Sequence, residues 1–444
     1  MSARPKPPGA ARPSSRARPR TRGASAALVT GSIVAGVLLA SALYRLRAPR
    51  DPNFRVVHGF GVSAPTFVPS ALLVPALTAG NRVDFLENGD RIFPSMLEAI
   101  RAARSTITFE AYIFWSGRVG SSFRDALAER ASHGVTVRVL LDAVGSPARR
   151  LNSSDVEAMQ RAGCHVAFFH RKKPWSRGAI DHRTHRRILV VDGRVGFTGS
   201  VGFVDEWLGD ADSREHWRDT QVRLEGPVVT ELQAAFQENW SEATGETLAG
   251  EALFPRIDAA GPVAAEIVSS SARYAGADVQ RLYSVALASS ERTIDIANSY
   301  FLPDSDAVAL MVAARRRGVR VRILVPGKVN DVPATKTAGR AAFGDLLAGG
   351  VGIWEYGGTM FHQKSMVVDG LFATLGSANF DNRSFRLNEE DNLVTDDRET
   401  AARLEEMFER DLARARPYTL SEWKHRSLGQ RMSEWALQPF RSQL

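Results

Sequence analysis

A sixteen-residue pattern stands twice in this chain, HRRILVVDGRVGFTGS at 185–200 and HQKSMVVDGLFATLGS at 362–377, with His, a basic residue two positions on, Asp-Gly and Gly-Ser at identical spacing. What precedes each copy repeats as well. STITFEAYIFW (105–115) leads through a helical run to VTVRVLLD, and RTIDIANSYFLP (292–303) leads through another to VRVRILVP. A chain so constrained folds as two copies of one unit. The helical runs carry apolar residues on one face, Phe123, Ala126 and Leu127 in the first and Val308, Met311 and Val312 in the second, and each ends at a glycine, Gly134 or Gly318. The β-branched runs that follow read as strands buried on both faces. Helices alternating with such strands predict an α/β sandwich in each half, with right-handed crossovers. Each motif copy reads as strand, Asp-Gly turn and strand, and strand alternation puts His and the cation two residues on along one face.

The remaining segments are read from composition. With 44% apolar and 24% charged residues the 444-residue chain is ordinary globular material. The net charge of +8 is concentrated in an N-terminal arm containing Arg4, Lys6, Arg12, Arg16, Arg18, Arg20 and Arg22, so it argues little for nucleic acid. We expect a basic disordered arm at 1–24, a transmembrane anchor at 25–44, a linker at 45–80, one half at 81–250 and the other at 262–444, the latter with a C-terminal amphipathic segment. The apolar segment Ser25–Tyr44 also fits a signal peptide or a buried helix, and arginines on both sides leave its orientation open. A single cysteine, Cys164, excludes an intrachain disulfide and is read as a buried structural thiol.

The two motifs resemble those of the phospholipase D superfamily, and within it the bacterial cardiolipin synthases. RTHRRILVVDGRVGFTGSVGFVDEW with WRDTQVRLEGPVV is similar to the first half of such an enzyme, and FHQKSMVVDGLFATLGSANFDNRSFRLNEEDNLV to the second. The resemblance runs from about Asn81 to the C-terminus. It implies two halves about a pseudo-twofold axis that share one active site, with catalytic signatures His185, Arg187, Asp192 and His362, Lys364, Asp369. Within these, Asp192 and Asp369 stand at Asp-Gly turns, where Asp binds local backbone, and are read as structural. His185 is assigned as nucleophile forming a phosphohistidine and His362 as general acid and later base, although the sequence does not order the two. Arg187 and Lys364 would hold phosphoryl oxygens, with Ser200, Ser377 and Asn379 as neutral donors around substrate. Asp219 and Glu390 would be the carboxylates that fix the imidazole tautomers. No cofactor and no metal is implied.

Two departures mark the first copy. Arg187 replaces the family's Lys, and Gly202 replaces the Asn that the second copy keeps as Asn379. The leading expectation is a membrane phosphatidyltransferase that converts two phosphatidylglycerols to cardiolipin and glycerol, partnered by anionic phospholipid and the cell membrane. A phospholipase D-type phosphodiesterase acting on phospholipid or nucleic acid is the alternative, and a lipid-binding protein that has lost turnover is a third. No interleaving of basic and aromatic residues of the kind a nuclease groove uses is present. Basic density at Arg183, Arg186 and Arg187 could contact phosphates.

Overall fold

The structure, a computed structural model, describes residues 77–170, 182–271 and 278–438. The expected arm and anchor, with all but the end of the linker, lie outside the described residues. Among the described residues no helix is long and apolar enough to cross a membrane.

The first half supplies strands β1 (Thr78–Glu87), β2 (Thr106–Ala111), β3 (Thr136–Asp142), β4 (His165–Phe169), β5 (Arg183–Thr184), β6 (Ile188–Val191), β7 (Val195–Gly199) and β8 (Thr220–Glu225). The second supplies β9 (Val263–Ser270), β10 (Thr293–Asn298), β11 (Arg320–Pro326), β12 (Gly352–Tyr356), β13 (Lys364–Val368), β14 (Phe372–Gly376), β15 (Asn388–Asp396) and β16 (Ala415–Pro417). They form one sheet whose order is β4, β3, β2, β6, β7, β8, β1, then β9, β15, β14, β13, β10, β11, β12 and β16. From the central antiparallel pair β1–β9 outward, each half presents its equivalent strands in the same sequence. The duplication read from the motifs is therefore a duplication of topology.

Helices Arg118–Ser132 and Ser305–Arg316 return the chain between the parallel pairs β2–β3 and β10–β11. Gly134 and Gly318 end them with φ of +88° and +96°, a conformation that favours glycine. Strand β6 shows why its run is apolar throughout. Leu189 and Val191 pack into the core beneath helices Asn88–Ala102 and Arg118–Ser132, and Ile188 and Val190 pack into the core on the other face with helix Val229–Thr244. That second core also takes Val367, Leu375 and Leu393 from the other half and Leu404 of helix Arg398–Ala413, so a continuous apolar layer crosses the β1–β9 seam. Cys164 is buried just before β4, and burial pushes its thiol up to about 11, which makes it unreactive.

Candidate active site

Both motif hairpins turn on left-handed Asp-Gly pairs, with φ of 52° and 64° at Asp192 and Gly193 and of 57° and 63° at Asp369 and Gly370. The Asp192 carboxylate accepts the backbone N–H groups of Arg104, Ser105 and Thr106 at 2.7–2.9 Å, and Asp369 accepts those of Glu291, Arg292 and Thr293 at 2.7–2.8 Å. Each thus pins a hairpin to the start of β2 or β10. These two members of the signature have no part in the cavity where the histidines lie.

His185 and His362 meet in one cavity of about 370 Å³, lined also by Tyr112, Arg187, Trp207, Tyr300, Asp331, Asn379, Asp381 and Arg383. The halves cross over to position them. The His185 backbone N–H donates to Glu389 of β15 at 2.8 Å, an extension of the parallel β5–β15 pairing, and His185 Nδ1 lies 2.9 Å from Glu390 Oε2. In the mirror arrangement the His362 N–H donates to the Arg218 carbonyl at 2.8 Å, and His362 Nδ1 lies 2.9 Å from Asp219 Oδ2. Each imidazole is held, backbone and side chain, by the segment of the opposite half that carries the carboxylate, β15 for His185 and the residues just before β8 for His362. With Nδ1 so occupied, Nε2 is the nitrogen left for chemistry.

The cations sit against the rings, Arg187 at Nε2 of His185 and Lys364 between the two nitrogens of His362, 2.9 Å from Nδ1. Arg187 Nη2 is 3.1 Å from His185 Nε2, and Lys364 Nζ is 3.0 Å from His362 Nε2. A tyrosine from each half completes the walls. Tyr112 meets the His185 ring edge-on at 5.0 Å between centroids, and Tyr300 meets His362 at 5.9 Å. Tyr300 Oη donates to Asp331 at 2.5 Å. Tyr112 and Tyr300 follow the ends of the duplicated strands β2 and β10 one register apart, Tyr112 matching Ser299 and Tyr300 matching Ile113.

Burial and the neighbouring cations, Arg187 first, hold His185 well below the usual histidine range. Burial and Lys364 push His362 down to about 4, with Asp219 opposing them. Lys364, fully enclosed, is pushed down to about 7. The two carboxylates diverge. Burial raises Glu390 to about 7 despite the hydroxyls of Ser377 and Ser384, whereas in Asp219 burial is outweighed by His362, Lys364 and Ser200, and its carboxyl stays below the usual range.

Two expectations are revised. Ser200 and Ser377 stand behind the carboxylates: Ser200 Oγ donates to Asp219 and Ser377 Oγ donates to Glu390 at 2.6 Å, and neither lines the cavity. They are buried supports of the carboxylates. Asn379 does line the cavity, and its carbonyl accepts from Ser299 at 3.2 Å, which leaves its amide N–H groups as donors. Arg183 and Arg186 are buried, Arg186 against Glu238 at 2.8 Å and the backbone of Ala235 and Ser270, so neither offers a surface contact for phosphate.

Gly202 has a local cause. A Cβ there would lie 2.9 Å from the indole of Trp207, which fills the space that an Asn side chain would need. Trp207 donates its indole N–H to Asp219 Oδ2 at 2.7 Å and meets the His362 ring edge-on at 5.0 Å. In the duplicated frame Trp207 stands where the second half has Ser384, whose side chain bonds Glu390. The only trace of this exchange in the sequence is that Gly202 and Trp207 depart together from the second copy.

A duplicated α/β unit that aims two carboxylate-backed histidines, each with a cation against its ring, into one cavity has the construction of phospholipase D-type enzymes. Residues 96–240 and 283–412 match the family described as cardiolipin synthase, PLD-like domain. The chain is 35% identical over 338 residues to a probable cardiolipin synthase of Bacillus subtilis, covering 75% of this chain and 66% of that protein. It is 35% identical over 354 residues to a cardiolipin synthase of Geobacillus sp., covering 79% and 70%. Its fold is similar to that of a phosphatidylserine synthase of Haemophilus influenzae, with a TM-score of 0.63 at 14% identity over 82% of this chain and 95% of that one. The chain belongs to the cardiolipin synthase family and is an enzyme of the phospholipase D superfamily.

Proposed function

We propose that the protein is a phosphatidyltransferase that makes cardiolipin and glycerol from two molecules of phosphatidylglycerol through a phosphohistidine. The observation that carries this reading is the crossed pair of Nδ1–carboxylate contacts, which turns both Nε2 atoms to one cavity, beside Arg187 and Lys364. His185 Nε2 attacks phosphorus, the bond to the glycerol oxygen breaks, and His362 Nε2 supplies the proton that glycerol carries away. The hydroxyl of a second phosphatidylglycerol then gives its proton to His362 and attacks the phosphohistidine, releasing His185. Arg187, Lys364 and the Asn379 amide hold the non-bridging oxygens.

The unequal carboxylates support this division of labour. Asp219, held ionised, stabilises the imidazolium that His362 must form, and the anionic substrate adds to that effect. Glu390, near 7, places less negative charge behind His185, which has to act neutral.

The reading includes two halves at 81–250 and 262–444 about a pseudo-twofold axis and a membrane anchor at 25–44. Purified protein would be incubated with labelled phosphatidylglycerol in detergent micelles containing EDTA, beside His185→Ala and His362→Ala, and the lipids separated. Cardiolipin formed by the unmutated protein alone is expected. Phosphatidic acid in its place would make water the acceptor and overturn the transferase reading.

A further inference from the structure

The C-terminal helix Leu428–Leu437 is packed with its polar side inward. It opens on a capping box, with Ser427 and Gln430 bonded reciprocally at 3.1 and 3.2 Å, so it is a well-formed helix rather than a frayed tail. Its buried residue is Glu434, paired with Arg426 at 3.2 Å with both side chains nearly enclosed. Arg426 in turn lies over the Trp423 ring at 3.7 Å, and the Trp423 indole N–H donates to the Arg340 carbonyl of helix Pro333–Ala348 at 2.9 Å. Leu428, Met432 and Trp435, spaced i, i+4 and i+7, face outward and are 76%, 70% and 74% exposed.

An apolar stripe of this kind costs free energy in water unless something covers it. Its surroundings point to a bilayer. Lys424, His425 and Arg431 are exposed around it, the arrangement of an interfacial helix that meets anionic headgroups. The helix that carries it, Pro333–Ala348, begins at the active-site cavity, where Val332 and Thr335 are lining residues and Val332 is itself 38% exposed. Exposed Val144 follows β3 at the same strand end at which Val332 follows the equivalent β11.

We propose that Leu428, Met432 and Trp435 form a membrane-docking stripe that lies in the headgroup layer of an anionic bilayer, on the helix pair that leads to the mouth of the cavity. The stripe is a contact separate from the apolar segment 25–44. It concerns how the protein sits on lipid and does not depend on which reaction the cavity performs.

The test uses the full chain with W435C carrying an environment-sensitive fluorophore, since the native Cys164 is buried with its thiol pushed up to about 11. Mixed with vesicles of phosphatidylcholine and phosphatidylglycerol, the label should shift to the blue and be quenched by brominated acyl chains, and far less so with phosphatidylcholine alone. Protein that sediments with the vesicles while the label stays unshifted would overturn the proposal. A blue-shifted label before lipid is added would overturn it too, because a second copy or the chain's own apolar segment would then cover the stripe. The variant L428S/M432S/W435S should lose about tenfold in turnover of vesicle-borne phosphatidylglycerol while keeping turnover of short-chain monomeric phosphatidylglycerol. Equal loss on both substrates would refute docking as the cause. Docking without any cardiolipin synthesis would instead count against the proposed reaction and leave the stripe standing.

Discussion

Lys364 offers a quantitative handle on the site, because its burial makes its charge conditional. In the free protein it is pushed down to about 7, with Asp219 opposing that shift and Arg187 reinforcing it. An oxyanion beside it restores the charged form and moves it toward the ordinary value of about 10.4. Binding therefore takes up a proton wherever the free lysine has lost one. Its charged fraction falls from about one half at pH 7 to about one hundredth at pH 9, so affinity for a fully ionised anion should fall about 50-fold across that window. Sulfate is a suitable probe because it does not itself titrate there. Isothermal titration in buffers of different ionisation enthalpy would report both the affinity and the proton uptake. Lys364→Arg should flatten the profile, since guanidinium stays charged, and the site already accepts Arg at the equivalent position 187. Glu390, also near 7, gains negative charge over the same window, so Glu390→Gln should retain the lysine's part of the slope. A flat profile in the unmutated protein, or a slope that Lys364→Arg leaves undiminished, would refute the reasoning.

Three further outcomes follow from the geometry. Gly202→Asn should not improve the site, because its Cβ meets the Trp207 ring at 2.9 Å; activity should drop, and the double change Gly202→Asn/Trp207→Ser, which copies the second half, should recover part of it in the same lipid assay. Asp192→Ala or Asp369→Ala removes the acceptor for three backbone amides at a left-handed position, so denaturant unfolding should show a loss of about 2–4 kcal/mol while turnover per folded molecule stays near that of the unmutated protein. Asp219→Asn should cut turnover by about 10³–10⁴, as expected for loss of the ionised group that orients and charges a catalytic imidazole. Glu390→Gln should cost less, because in the proposed reaction its partner His185 acts in the neutral form.

How far the sequence reached depends on which contacts are local. The duplicated motif led to the duplicated topology because strand, Asp-Gly turn and strand are fixed by neighbours in the chain, and the apolar run of β6 required cover on both faces. Asp219 and Glu390 were legible as equivalent acids after each motif, but not that each serves the histidine of the other half. His185 and Glu390 are 205 residues apart, and only the β1–β9 seam and the β5–β15 pairing bring them together. Ser200 and Ser377 were legible as polar groups beside the site, yet which way a hydroxyl points is decided by the buried carboxylate it satisfies. Arg186 looked like basic surface because nothing near it in sequence shows that Glu238 and the Ala235 carbonyl wait for it in the core.

The crossed contacts also explain why a duplicated enzyme can afford to become unsymmetrical. In an exact repeat both histidines would have the same partner and the same basicity, and nothing would decide which attacks and which donates. Here the two halves have replaced equivalent residues with different ones around the two carboxylates. Trp207 gives Asp219 an indole N–H and a dry wall, while Ser384 gives Glu390 a hydroxyl. Gly202 accompanies Trp207 because the ring needs its space, and Asn379 persists where no such ring intrudes. Arg187 in place of Lys keeps a permanent cation beside His185, which burial and that charge together hold neutral, while the conditional charge of Lys364 stands beside His362, the proton carrier of the proposed reaction. The departures of the first copy therefore act in one direction, the one the proposed reaction requires: a neutral nucleophile in one half and a proton carrier in the other.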